Sequence, residues 1–232
     1  MHLSRLNAPK AWATNRKGRK WLTRVRPGPH KLTASLPLNA LVKNIDNCNS
    51  REAKIILNKG LISVDNLVRK DPKFAIGLMD IIGVLTDKKW FRVLLDKKGR
   101  LTTKELHIKD IDEIEKYCKI IGKTVLRKGI AQVNLFDGRN LLVDAKKGRE
   151  YKVGDTLVIG FSKEKGRTAI KKHLKLEKGA LVYISTGKYV GNIGTISNFN
   201  VDVKNVALKI GADEENIVAP KDNLFAVDKN FD

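Results

Sequence analysis

The clearest rhythm in the chain begins at Leu38. Leu38, Leu41, Val42 and Ile45 recur at i, i+3, i+4 and i+7, the spacing of one face of an α-helix. "DNCNS" then reads as a turn, with Ser50 as the expected N-cap. "REAKIILNKG" predicts a second helix, with Ala53, Ile56 and Leu57 inward and Arg51, Lys54 and Asn58 on the other side. Gly60 supplies a left-handed C-cap. "LISVDN" follows as a short strand and turn, and "GLMDIIGVL" as a buried strand after a polar loop.

From about Trp90 the pattern turns to strands. "WFRVLLDKKGRLTTKEL" predicts a hairpin around Asp96–Gly99. "GIAQVNLFDGRNLLVD" predicts another, with Asp137-Gly138 in a type I′ turn. "YKVGDTLVIGF" adds a strand after a Val-Gly-Asp turn. "LVYISTGKYVGNIGTISNFN", "NVALKI" and "NIVAPKDNLFAV" continue the short strands and glycine turns of small β-barrels. In "KDIDEIEKY", Asp110, Asp112, Glu113 and Glu115 at helical spacing read as a solvated face, with Ile111 and Ile114 inward. "SKEKGRTAIKKHLKL" reads as a polar, basic boundary. The expected fold class is α+β and multi-module. Residues 1–37 form a basic arm, 38–89 a small helical and β module, 90–173 a β-rich central domain, and 174–232 a small barrel.

Charge changes the reading of the first segment. The 232 residues carry 46 Lys+Arg against 25 Asp+Glu, a net charge of +21, while 42% are hydrophobic. Real cores are affordable, but the imbalance repels itself and suits a polyanionic partner. The first acid is Asp46. Arg5, Lys10, Arg16, Lys17, Arg19, Lys20, Arg24, Arg26 and Lys31 precede it, broken by Pro9, Gly18, Pro27, Gly28, Pro29 and Pro37. This predicts an extended arm, without internal counter-charge, that orders on its partner. Trp12 and Trp21 are open to two roles, stacking on unpaired bases or packing beneath the arm.

Other classes find little support. No apolar run approaches the ~20 residues of a membrane helix, and "MHLSRLNAPKAW" lacks the apolar segment of a secretory signal. Cys48 and Cys118 have no metal spacing and read as reduced thiols of an intracellular protein. His2, His30, His107 and His173 are scattered, so no metal or cofactor site is expected. "TGKYVG" lacks the spacing of a phosphate-binding P-loop. "DGRN" holds the residue types of the Arg–Asp segment of pseudouridine synthases, in the wrong order. No catalytic constellation is expected.

Three stretches carry a resemblance. "SREAKIILNKGLISVDN" resembles the centre of the S4-type RNA-binding module, matching at Ser50-Arg51-Glu52-Ala53, Gly60 and Val64-Asp65-Asn66. Lys178-Gly179, Val182, Ile184, Gly187, Gly191, Gly194 and Ile196 look like a KOW motif in an SH3-like barrel, with Lys188 at the turn tip. "HLSRLNAPKAW", "KGRKWLTRVRPGPHKL", "GLMDII", "RVLLDKKGRL" and "LFDGRN" resemble the archaeal and eukaryotic small-subunit ribosomal protein four, the S-four-e family, and archaeal members most closely. The family's glycine turn often carries Arg where this chain has Lys188, which keeps the charge and loses the bidentate fork.

The resemblance implies a structural, non-enzymatic component of the small ribosomal subunit. It would be ribosome-bound in the cytoplasm, with ribosomal RNA and neighbouring ribosomal proteins as partners. No cofactor, membrane or small-molecule substrate is implied. The expected RNA contacts are Arg5, Lys10, Trp12, Arg16, Lys17, Arg19, Lys20, Trp21, Arg24, Arg26, His30, Lys31, Arg51, Lys54, Asn58, Lys59, Lys97, Lys98, Arg100, Arg139 and Lys188. The alternative is a free RNA-binding or RNA-modifying factor carrying an S4-like module.

Overall fold

The computed structural model describes residues 2–14, 17–18, 20–107, 114–161, 168–198, 204–210 and 215–231. The chain divides into two compact units. One is Met1–Lys116 with Gly160–Thr168; the other is Tyr117–Ile159 with Ala169–Asp232. Both are mostly β, with three short α-helices among the described residues.

The first unit runs β1 (His2–Ser4), β2 (Trp21–Thr23), β3 (Ser35–Pro37), α1 (Leu38–Ile45), α2 (Ser50–Asn58), β4 (Ile62–Val64), β5 (Leu67–Val68), β6 (Ala75–Gly77), β7 (Ile81–Val84), β8 (Lys89–Leu95) and β9 (Leu101–Leu106). Strands β5-β4-β7-β8-β9 form one sheet, and β1-β2 and β3-β6 form two small ribbons. The helices sit where the apolar spacing puts them. Leu38, Leu41 and Val42 of α1 and Ala53 and Leu57 of α2 are buried, and Ile56 packs against the same core. The cap of α2 is one residue earlier than expected. Asn49 Oδ1 accepts from the N–H of Arg51 (2.9 Å) and of Glu52 (3.3 Å), and Glu52 Oε2 accepts from the Asn49 N–H (2.9 Å). That reciprocal box needs an acid three residues past the cap, which "NSRE" provides from Asn49 and not from Ser50. Gly60 takes φ 74°, as a C-cap requires.

Three expectations for this unit are corrected. "GLMDIIGVL" is not one strand: Met79 at φ 67° breaks it into the end of β6 and the whole of β7. A boundary at 89/90 would cut β8, which pairs with β7 through Gly83↔Trp90 and Val84↔Lys89. The basic N-terminal segment, finally, is not a detached arm. β1 pairs with β2, and Trp12, Val25 and Leu36 join the core with the helices. Trp12 Nε1 donates to Ser35 O at 2.6 Å, the Leu101 N–H to Ala11 O at 2.8 Å, and the Arg26 N–H to Lys73 O at 2.9 Å.

A buried charge cluster fixes that docking. The two-residue turn between β4 and β5 places Asp65 (φ 50°) and Asn66 (φ 62°) in the type I′ conformation. Asp65 Oδ2 lies 2.6 Å from Lys116 Nζ, and Asp80 Oδ1 lies 2.7 Å from the same ammonium. Asp80 Oδ2 accepts from the Gly77 N–H and lies 2.9 Å from His30 Nε2. The His30 ring packs so closely on Gly77 that a β-carbon there would fall within it. All four charged or titratable groups are buried. Burial pushes the Asp80 carboxyl up, but Lys116 and His30, with the Gly77 N–H, reverse this and hold it below the ordinary carboxylate range.

The second unit holds most of β10 (Glu115–Val125), then β11 (Ile130–Leu135), β12 (Asn140–Asp144), α3 (Ala145–Glu150), most of β13 (Thr156–Phe161) and β14 (Thr168–Leu174). The sheet order is β12-β11-β10-β13-β14. β15 (Leu181–Ile184), β16 (Ile193–Asn198), β17 (Asn205–Ile210), β18 (Glu215–Pro220) and β19 (Leu224–Ala226) follow, in the order β18-β17-β16-β15-β19. The expected hairpins at Asp96–Gly99 and Asp137-Gly138 are present, but the second is not type I′. Only Gly138 (φ 78°) has a positive φ there, and the Gly138 N–H donates to Leu135 O while the Leu135 N–H donates to Arg139 O. This is a three-residue loop ending in a glycine bulge, the geometry also seen at Gly99. Residues 168–174, part of the stretch expected as a polar, basic boundary, form β14, where His173 Nε2 lies 2.8 Å from Asp155 Oδ2. Asp110, Ile111, Asp112 and Glu113 lie outside the described residues. Ile114 is buried, and Glu115 opens a strand rather than continuing a helix.

Two pH responses follow. Asp80→Asn leaves Lys116 with one buried carboxylate and is expected to cost about 3–5 kcal/mol, read as a lower urea midpoint for the first unit. A carboxyl with a lowered folded pKa stabilises above its unfolded value near 4 and loses that contribution as pH falls further. The variant should therefore lose less of its remaining stability than the parent below about pH 4. Lys119 acts in the same direction at the alkaline end of the range. Its Nζ donates to the carbonyls of Lys221 (2.8 Å) and Asp222 (2.9 Å), while burial pulls its pKa down to about 8 against the charge of Asp222. Between about 8 and the ordinary value near 10.4 the folded state binds fewer protons, so stability gains with rising pH. Lys119→Met should flatten that gain in urea unfolding of the second unit.

Candidate nucleic-acid interface

The docked N-terminal segment and the two helices enclose a cleft of about 640 Å³ in the first unit. Helical spacing turns one face of each helix into it. Asn39, Ala40, Lys43 and Asn44 face it from α1, and Ser50 and Lys54, one turn apart, from α2. Trp12, Leu22, Leu36 and Pro37 supply apolar wall, and Trp21 stands on β2 at the same cleft.

Five cations line it: Arg5, Lys17, Lys43, Lys54 and Lys73. No carboxylate lines it among the described residues. Such a concentration of one sign in a concave site focuses the field on an anionic ligand. Two polar atoms of the lining are also unmatched. Asn39 is 4% exposed, and neither its Oδ1 nor Arg5 Nη1 has a hydrogen-bond partner among the described residues. An orphaned buried donor or acceptor costs about 1–3 kcal/mol, so both are points of stored instability in the wall of the cleft.

The sequence-predicted residues divide into several groups. Arg5, Lys17, Trp21 and Lys54 converge on the cleft. Lys10, Lys20, Arg24, Lys31, Arg51, Asn58 and Lys59 are exposed on the first unit, as are Lys97, Lys98 and Arg100 at the β8–β9 turn. Arg26 is exposed and pairs with Asp71 at 2.9 Å, so this part of the segment does have an internal counter-charge. Arg16 and Arg19 lie outside the described residues. Trp12, 3% exposed, and His30, 7% exposed, are corrected: the first is core at the back of the cleft wall and the second belongs to the buried charge cluster, so neither ring is exposed enough to stack on a base. In the second unit, Lys188 is exposed and Arg139 half-buried, with its Nε 3.3 Å from Asp137.

Asn39, Lys43 and Lys73 were missed. The α1 stripe divides residues into core and solvent, and a face that turns toward a distant segment falls in neither class. Lys73 sits in a polar loop that carries no periodic signal.

A family model described as ribosomal family S4e matches residues 87–165, and one described as the RS4NT domain matches residues 1–33. The small ribosomal subunit protein eS4 of Archaeoglobus fulgidus is 37% identical over 99% of this chain and 94% of its own length. Those of Methanosphaera stadtmanae and Methanocaldococcus jannaschii are 41% and 42% identical, over 86% and 84% of this chain and 80% of each relative. The chain belongs to the S4e family of ribosomal proteins. The crystal structure of the 30S ribosomal protein S4e from Thermoplasma acidophilum matches with a TM-score of 0.69 at 26% identity, covering 85% of this chain and 96% of that one. The RS4NT match spans the segment that supplies Arg5, Lys17 and Trp21 to the cleft, whereas the S4e match begins after its helical wall.

Changing Lys17, Lys43, Lys54 and Lys73 together to Gln should weaken binding of a mixed-sequence oligoribonucleotide. It should also reduce the slope of log K against log salt by about 0.7 for each phosphate that is no longer neutralised. Filter binding across a salt series measures this, and an unchanged slope would remove the cleft from the electrostatic account.

Proposed function

We propose that this chain is a structural component of the small ribosomal subunit, binding ribosomal RNA and lying beside other ribosomal proteins in the cytoplasm. The carrying observation is the 37% identity to a small ribosomal subunit protein eS4 across 99% of this chain and 94% of the relative. The family is one of ribosomal structural proteins and not of enzymes. The basic cleft, lined by five cations and by no carboxylate among the described residues, gives that role a physical footing, since phosphate neutralisation provides most sequence-independent affinity for RNA.

Finer readings go with it. α1, the capped α2 and the hairpin turn at Asp65-Asn66 support an S4-like module, whose exposed Arg51, Lys54, Asn58 and Lys59 would follow an RNA backbone. In the last sheet, β19 pairs with β15, and Gly194 meets Lys209 O so closely that a β-carbon would clash. Those features, and the turn carrying Gly187 (φ 109°) and Gly191 (φ 82°), support a KOW-type SH3-like barrel with Lys188 toward RNA.

The tagged chain expressed in an archaeal host should migrate with small subunits through a high-salt wash. Recovery only in the ribosome-free fraction would contradict the structural role.

A further inference from the structure

We propose that the cleft of the first unit holds one unstacked nucleotide of an RNA strand, its base against Trp21 and its flanking phosphates on Lys17, Lys43, Lys54 and Lys73. This rests on the RNA-binding reading and narrows it from phosphate attraction to single-strand recognition.

Size and shape come first. A cleft of about 640 Å³ is in the range that encloses a compact ligand, ~300–1,000 Å³. A duplex is a convex cylinder whose bases face inward, so it can reach the lysines at the rim but not the wall behind them. Only a base turned out of its stack can enter, and such bases are the usual target of RNA recognition by protein side chains.

The lining suits a base as well as a phosphate. Trp21 is 55% exposed, an unusual position for a ring of that size on a three-residue strand. The Lys20 ammonium lies 5.3 Å from its centroid, adding positive charge beside a stacking platform. Asn39, Asn44, Ser50 and Thr14 line the cleft beside the cations, polar side chains of the kind that read a base edge. The lysines come from three separate places, the N-terminal segment, the helices and the loop before β6, as expected for a strand running through rather than a free mononucleotide.

Trp12, 3% exposed, lies in the wall of the cleft and Trp90, 5% exposed, does not line it, so the part of the quench that Trp21→Ala removes reports on Trp21. The full chain is titrated with a short unstructured oligoribonucleotide, a duplex of equal length and a nucleoside monophosphate. Fluorescence and anisotropy are read for the parent, Trp21→Ala and Trp21→Phe. The single strand should quench the parent. Trp21→Ala should abolish the quench and weaken single-strand binding about tenfold, while duplex binding is unchanged. Trp21→Phe should restore most of the affinity.

If single strand and duplex bind alike without quenching, and Trp21→Ala alters neither, the nucleotide pocket is overturned and the charge-based RNA reading stands. If the monophosphate binds as tightly as the oligomer, the strand proposal is overturned in favour of a small-molecule site. If no RNA binds the parent, the RNA reading itself fails and the pocket falls with it.

Discussion

The first unit depends on a charge placed where water cannot reach it. Asp80, 1% exposed, sits between Lys116, His30 and the Gly77 N–H. A lone buried carboxylate would be prohibitively unstable, so each partner must be held in register. His30 ties the N-terminal segment to the β6–β7 turn, and Lys116 ties the first residues of β10 to that turn and to Asp65. Once His30 is pinned, the preceding chain has a fixed end. The rest follows by packing: Val25 and Trp12 enter the core, and the strand pair β1-β2 stands beside α1.

That arrangement also explains how a chain of net charge +21 keeps a cleft with no carboxylate in its lining among the described residues. Asp65 and Asp80 are engaged in the interior and Asp71 is engaged by Arg26. Glu52 closes the cap of α2. The nearby acids thus complete the fold, leaving the cleft cations facing outward without carboxylates among them. Stability and recognition use the same segment in different ways. Its apolar residues and His30 hold it down, and its exposed cations face the partner.

Local signals in the sequence were reliable where the physics is local. α1 has the expected span and α2 begins one residue earlier than "REAKIILNKG" suggested, because the cap is Asn49. Both glycine hairpins turn where expected, although Phe136 makes one loop a residue longer than an Asp-Gly turn implies. The N-terminal segment was misread because its partners are remote. His30 and Asp80 are 50 residues apart, Arg26 and Asp71 are 45 apart, and Trp12 and Ser35 are 23 apart. No window over a segment rich in Lys, Arg, Pro and Gly contains those partners. The basic composition pointed correctly to a polyanion, yet Asn39 and Lys73 gave no sign that they meet at one cleft.

The N-terminal segment is folded onto the first unit before any RNA arrives. Hydrogen exchange on the full chain without RNA tests it most directly. The Arg26 N–H, bonded to Lys73 O, the Leu101 N–H, bonded to Ala11 O, and the Trp12 indole N–H, bonded to Ser35 O, are the reporters. Protection at all three should be comparable to that of the β7–β8 ladder. Exchange of these three at the rate of an unstructured peptide, with protection only after RNA is added, would contradict it.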